Sequence, residues 1–169
     1  MEGSYVTLDG KPAVRFERSL DHPVEVVWQA VTDPAKLAQW FPTSVEVDLR
    51  EGGAMRFGFP DGSTEDMTGE VTELDPPRLF AFLWGDDLLR LELEPEDSGC
   101  RLRLTHHLTN TDEAARTAAG WHVCLDRLAE LADSDQAEAP TSEPTDEWRD
   151  HYERYVAAGV PSGAEVPGG

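Results

Sequence analysis

The sequence predicts an α+β domain: a curved, seven-stranded antiparallel sheet with two short helices, covered by a long C-terminal helix. Three observations predict it. Short runs of alternating apolar and polar residues, broken by turn chemistry about every ten residues, fill the stretch from Thr43 to Asn110. Two compact helical patterns precede that stretch, and one long apolar stripe follows it.

The first strand is read over residues 13–20 (AVRFERSL), where Val14 and Phe16 alternate with Arg15 and Glu17. Asp21 is placed as a cap and Pro23 in a first helical turn. Val24, Val27, Trp28 and Val31 then recur at helical spacing. Asp33-Pro34 ends that helix and starts a second, whose apolar side is Leu37, Trp40 and Phe41, and Pro42 closes it. Six strands follow, around Val45–Leu49, Met55–Phe59, Thr64–Leu74, Leu79–Trp84, Leu89–Leu93 and Leu102–Leu108. Their tight Gly, Pro and Asp turns make them an antiparallel meander. Asn110, with Glu113 three residues on, has the form of a capping box. The helix it opens, Asn110–Ala132, carries Ala114, Ala118, Trp121, Leu125 and Leu128 on one face.

The chain divides into a loose arm (1–12), the sheet-and-helix domain (13–134) and an appendage (135–169). The appendage reads as an acidic linker, a short amphipathic helix near Asp146–Ala158 with Trp148, Tyr152 and Tyr155, and a disordered Gly/Pro tail.

Charge excludes more partners than it names. A formal net charge of −20 argues against nucleic acid, which is held through Lys and Arg, and against anionic membrane surfaces. No basic-then-apolar leader opens the chain, and no apolar run approaches the roughly 20 residues that cross a bilayer. Cys100 and Cys124 form no CxxC pair and read as reduced thiols. A cytoplasmic location is the expectation.

A helix laid across a strongly curved sheet leaves a gap, and strand parity selects the residues that would line it. These are Phe57, Phe59, Met67, Phe82, Trp84, Leu89, Leu91, Leu104, His106 and Trp121. They are candidates both for ordinary core and for the wall of a ligand pocket.

The segments VRFERSLDHPVEVVWQAVTDPAKLAQWF, GEVTELDPPRLFAFLW, LRLTHHL and GWHVCLDRLAEL, in this order and spacing, resemble the START-like (SRPBCC, birch-pollen-allergen-like) superfamily. Within it, the chain is similar to homologues of the activator of heat-shock protein 90 ATPase, over about residues 13–133. The resemblance implies a helix-grip fold with an interior cavity and leaves activity open. The eukaryotic activator has a separate N-terminal chaperone-binding domain for which 169 residues leave no room, so chaperone activation is not the expected role.

Of the five histidines, His106 and His107 point to opposite faces of one strand and cannot easily share a metal. His122 and Asp126, four apart on the helix flank, suit a hydrogen-bonded pair. His106 faces the side that Trp121 covers, so a protein group or a ligand must satisfy its imidazole. Arg18 and Glu73 are candidates to project inward, with the rim as the alternative. No GxSxG, P-loop, GxGxxG, HExxH or paired-Cys motif occurs. No catalytic residue, cofactor or metal is therefore expected.

Three roles remain. The first is binding of a small hydrophobic molecule in the interior. The second is a polyketide cyclase or aromatase-like enzyme using His106. The third is a chaperone or regulatory interaction module using the acidic exterior, with a homodimer through the C-terminal segment as one form of it.

Overall fold

Among the described residues, eight strands rather than seven form the sheet. The computed structural model describes residues 3–41, 43–58, 67–97, 99–134 and 146–163. The added strand is β1 (Ser4–Leu8), in the segment expected to be a loose arm. It pairs antiparallel with β2 (Lys11–Leu20), Ser4 opposite Arg15 and Leu8 opposite Lys11. The turn between them is Asp9-Gly10, with φ of 52° and 78°. That is the left-handed pair of a two-residue hairpin, for which Asp-Gly is a strong signal.

After β2 come α1 (Val24–Thr32) and α2 (Pro34–Trp40), then β3 (Ser44–Val47), β4 (Ala54–Gly58), β5 (Met67–Asp75), β6 (Leu79–Trp84), β7 (Asp87–Glu96) and β8 (Gly99–His107). The sheet order is β1-β2-β8-β7-β6-β5-β4-β3, so the meander from β3 to β8 closes back onto β2. Asp33 caps α2 as expected, accepting from the Ala35 amide at 3.0 Å. Asp21 does not cap α1. The N-cap there is Pro23, with no side-chain bond.

Register fixes which residues meet. His106 lies opposite Val14 on one side and Leu89 on the other, and Leu104 lies between Phe16 and Leu91. Phe82 pairs with Leu89 on β7 and with Val71 on β5. These residues form apolar rows across the sheet's inner face, and all are buried.

A 3₁₀ turn at Thr111–Glu113 leads into α3 (Ala114–Ser134). Asn110 accepts from the Asp112 amide at 3.1 Å, while Glu113 turns to Arg116 at 2.8 Å, so only half of the capping box forms. Ala114, Ala118, Trp121, Leu125 and Leu128 are all buried, as their spacing requires. Below them Phe41, at the end of α2, fills the middle of the grip. Its ring centroid is 5.4 Å from those of Trp84 and Trp121 and 6.2 Å from Phe57. Trp40 donates to the Ala30 carbonyl at 2.8 Å, fastening α2 to α1.

The final helix, α4 (Asp146–Ala157), packs on its own domain along α3. Tyr155 is buried, and Trp148 and Tyr152, stacked with centroids 5.2 Å apart, are partly buried against the core. Gly159, with φ of 91°, ends the helix. Residues 160–163, expected in the loose tail, return to α3, where the Ala115 amide donates to the Pro161 carbonyl at 2.9 Å. The expected linker at 135–145 and the last six residues lie outside the described residues. No helix among the described residues is long and apolar enough to cross a membrane.

Candidate functional site

At one end of α3's buried face, the interior opens into a cleft of about 530 Å³. Met67 at the start of β5 and Trp84 at the end of β6 form one side. Thr117, Gly120, Trp121 and Cys124 of α3 stand opposite, and Trp148 of α4 adds a further wall. Asp87, His106, Glu113 and Arg116 supply the polar edge.

The tight turn from β6 to β7 builds the corner. Gly85 adopts φ of 62°, a conformation that side chains with a Cβ resist. A Cβ there would also meet the Met67 methyl at 2.7 Å. This turn sets Asp87 directly across from Trp84.

Asp87 anchors a chain of hydrogen bonds. The indole N–H of Trp121 donates to His106 Nδ1 at 2.8 Å. An indole nitrogen can only donate, so Nδ1 must present its lone pair and Nε2 must carry the proton. Nε2 then donates to Asp87 Oδ2 at 2.6 Å. The other carboxylate oxygen accepts from the Thr109 amide at 3.0 Å and its hydroxyl at 2.9 Å. Burial works to raise the Asp87 carboxyl, but the His106 bond and the two Thr109 bonds outweigh it. The group titrates below its ordinary value of 3.8.

The chemical consequence is restrictive. Both ring nitrogens of His106 are engaged, and a proton added at Nδ1 would face the indole N–H donor to donor. While the Trp121 N–H occupies Nδ1, neither ring nitrogen of His106 has a lone pair free for general-base work. Cys124 offers no nucleophile either, because full burial pushes its thiol up to about 12. One group beside the cleft does lack a partner: the indole N–H of Trp84 is buried and bonds to nothing among the described residues.

Of the residues selected by strand parity, Met67, Trp84, His106 and Trp121 line the cleft. Phe57, Phe82, Leu89, Leu91 and Leu104 are no more than 2 % exposed and pack within the core. Phe59 lies outside the described residues. Asp87 is absent from that set, although it begins a strand directly after a Gly-Asp turn. Its bond to His106 joins residues 19 apart, a pairing that local patterning does not register.

Arg18 does turn inward, donating to Asp126 Oδ1 at 2.7 Å. Asp126 is thus paired with Arg18 rather than with His122. Glu73 does not turn inward; it is half-exposed and pairs with Arg90 at 2.9 Å. His122 Nδ1 instead lies 2.9 Å from the Tyr155 hydroxyl, which also accepts from the Gly3 amide at 2.7 Å.

Comparison with known proteins agrees with this architecture. Residues 21–133 match the family model described as "Activator of Hsp90 ATPase homolog 1-like protein". The chain belongs to that family. Among solved structures, CalU16 from Micromonospora echinospora superposes with a TM-score of 0.69 at 24% identity, over 92% of this chain and 96% of that one. The conserved protein EF2215 from Enterococcus faecalis, of unknown function, gives 0.74 at 22% identity, over 92% and 91%. DynU16, a protein of the dynemicin biosynthetic locus, gives 0.67 at 26% identity, over 76% of this chain and 49% of that one. No match is found among the curated proteins. The family match and these neighbours agree with the helix-grip reading of the fold, and small-molecule binding fits the family.

Proposed function

We propose that this family member binds a small, largely apolar and aromatic molecule in the cleft between α3, α4 and the β6–β7 corner. The observation that carries the reading is the wall chemistry. Three indoles and a thioether enclose about 530 Å³, within the usual range of small-molecule sites. The unpartnered Trp84 N–H is a hydrogen-bond donor for one carbonyl or hydroxyl of the guest. Leaving such a donor buried and unsatisfied costs about 1–3 kcal/mol, so a guest that accepts from it gains affinity and orientation together.

Native mass spectrometry of the protein purified from its own host tests this reading. The expected result is a small molecule retained by the wild type and lost in Thr117→Trp, which fills the cleft from α3. A protein that carries nothing and shows no affinity for aromatic probes, in either form, would rule the reading out.

The His106–Asp87 pair beside the cleft supports a second reading, an enzyme of the cyclase or aromatase kind. It requires Trp121 to release Nδ1 during turnover. Conversion of an aromatic polyketide-like substrate that stops in His106→Ala, with the fold intact, would favour it. Unchanged conversion in that variant would remove His106 from any chemistry.

A further inference from the structure

A second polar cluster lies on the other flank of α3, in its seam with α4. We propose that His122, Asp126 and His151 bind a divalent transition-metal ion of the zinc class, and that the ion fastens α4 to the domain. One ligand atom from each residue lies within 4.8 Å of the other two. Ligands on a tetrahedral zinc ion stand about 3.4 Å apart, so closing the site draws the ligand atoms in by roughly an ångström and rotates the His151 ring out of its stack on His122. Two imidazoles with one carboxylate is a donor set suited to zinc and not to calcium or magnesium, which prefer oxygen.

The spacing is that of a two-helix metal site. His122 and Asp126 are one turn apart on α3, and Glu147 and His151 are one turn apart on α4. Glu147 Oε1 is 4.0 Å from His151 Nε2, leaving Glu147 or a water molecule for the fourth position.

The surrounding groups support the ligands as an outer shell does. Arg18 holds Asp126 through Oδ1 and leaves Oδ2 for the ion. The Tyr155 hydroxyl sits against His122 Nδ1, so Nε2 is left for the ion, and the hydroxyl oxygen accepts a hydrogen bond from Nδ1–H when Nε2 ligates.

The two imidazoles lie face to face, with centroids 3.7 Å apart and planes at 18°. Ligation turns the His151 ring so that both rings aim a nitrogen at one point. His151 belongs to the helix that carries Trp148, a wall of the cleft, three residues earlier.

The test uses the full chain, stripped with EDTA and titrated with cobalt(II) chloride and then zinc chloride. One cobalt ion per chain, with the intense visible bands of a tetrahedral centre and displacement by one equivalent of zinc, is expected. Zinc should raise the unfolding temperature of the wild type but not of His151→Ala. Affinity should fall about tenfold or more in His151→Ala and in Asp126→Asn. Unfolding scans in EDTA establish that each variant is folded, and Asp126→Asn carries the test if His151→Ala is not. Zinc bound as tightly by a folded variant as by the wild type, or only weak unsaturable uptake, would place the ions on the acidic surface and overturn the proposal.

Discussion

Two aromatic clusters share the space beneath α3 and behave differently. Around Phe41 the rings of Phe57 and Phe82 have no polar atoms, and they satisfy one another by contact alone. Around His106 every ring carries a polar handle, and the indole of Trp121, the imidazole and the Asp87 carboxylate form a directional chain. The first cluster is filled and the second borders the cleft. Apolar rings can close a space from any approach, whereas rings with fixed donors and acceptors hold their positions and leave room beside them.

The largest effect expected breaks the filled side. Phe41→Ala should cost about 3–5 kcal/mol in denaturant unfolding, because no neighbouring ring can move in without leaving its own contacts. On the cleft side, Asp87→Ala should cost about 1–3 kcal/mol by leaving the His106 N–H without an acceptor. That difference is pH-dependent, with a sign set by the lowered carboxyl. The Asp87 contribution is fully present above the ordinary value of 3.8 and is lost as pH falls through the lower folded value. Unfolding curves of wild type and variant should therefore converge in strong acid, and curves that stay parallel would assign the bonds no electrostatic part.

Trp121→Phe keeps the ring and removes the donor, with an expected cost near 1 kcal/mol. Its sharper readout is imidazole nitrogen NMR. The wild type should show one neutral tautomer protonated at Nε2, and the variant should free Nδ1. The smallest effect belongs to Gly120→Ala. Its new methyl would meet the Trp148 indole at 3.8 Å, an ordinary contact, and alanine suits a helix interior better than glycine, so stability should rise by about 0.5–1 kcal/mol.

Alternation and turn chemistry made most of the sheet legible. A strand with one buried face must repeat every second residue, and β8 does so from Cys100 to Leu104. β1 is hidden because Gly3, Gly10 and Pro12 suggest a loop, although the Asp9-Gly10 pair that folds the hairpin is itself in the sequence. The candidate site was half legible. Parity identified Met67, Trp84, His106 and Trp121, since facing is a local property. It could not separate cleft wall from packed core at Phe57 or Leu91, because that depends on Phe41 arriving from another element. Asp87 for His106, and Tyr155 and His151 for His122, are partners brought by tertiary packing, and no spacing rule reaches them.

Trp148 gives the cleft a side that belongs to α4 rather than to the sheet or α3. Any guest that touches its indole must strengthen the docking of α4 by the same factor by which docking strengthens the guest's retention, because the two equilibria share one thermodynamic cycle. Occupancy of the cleft should thus be readable at a distance, as slower hydrogen exchange along α4.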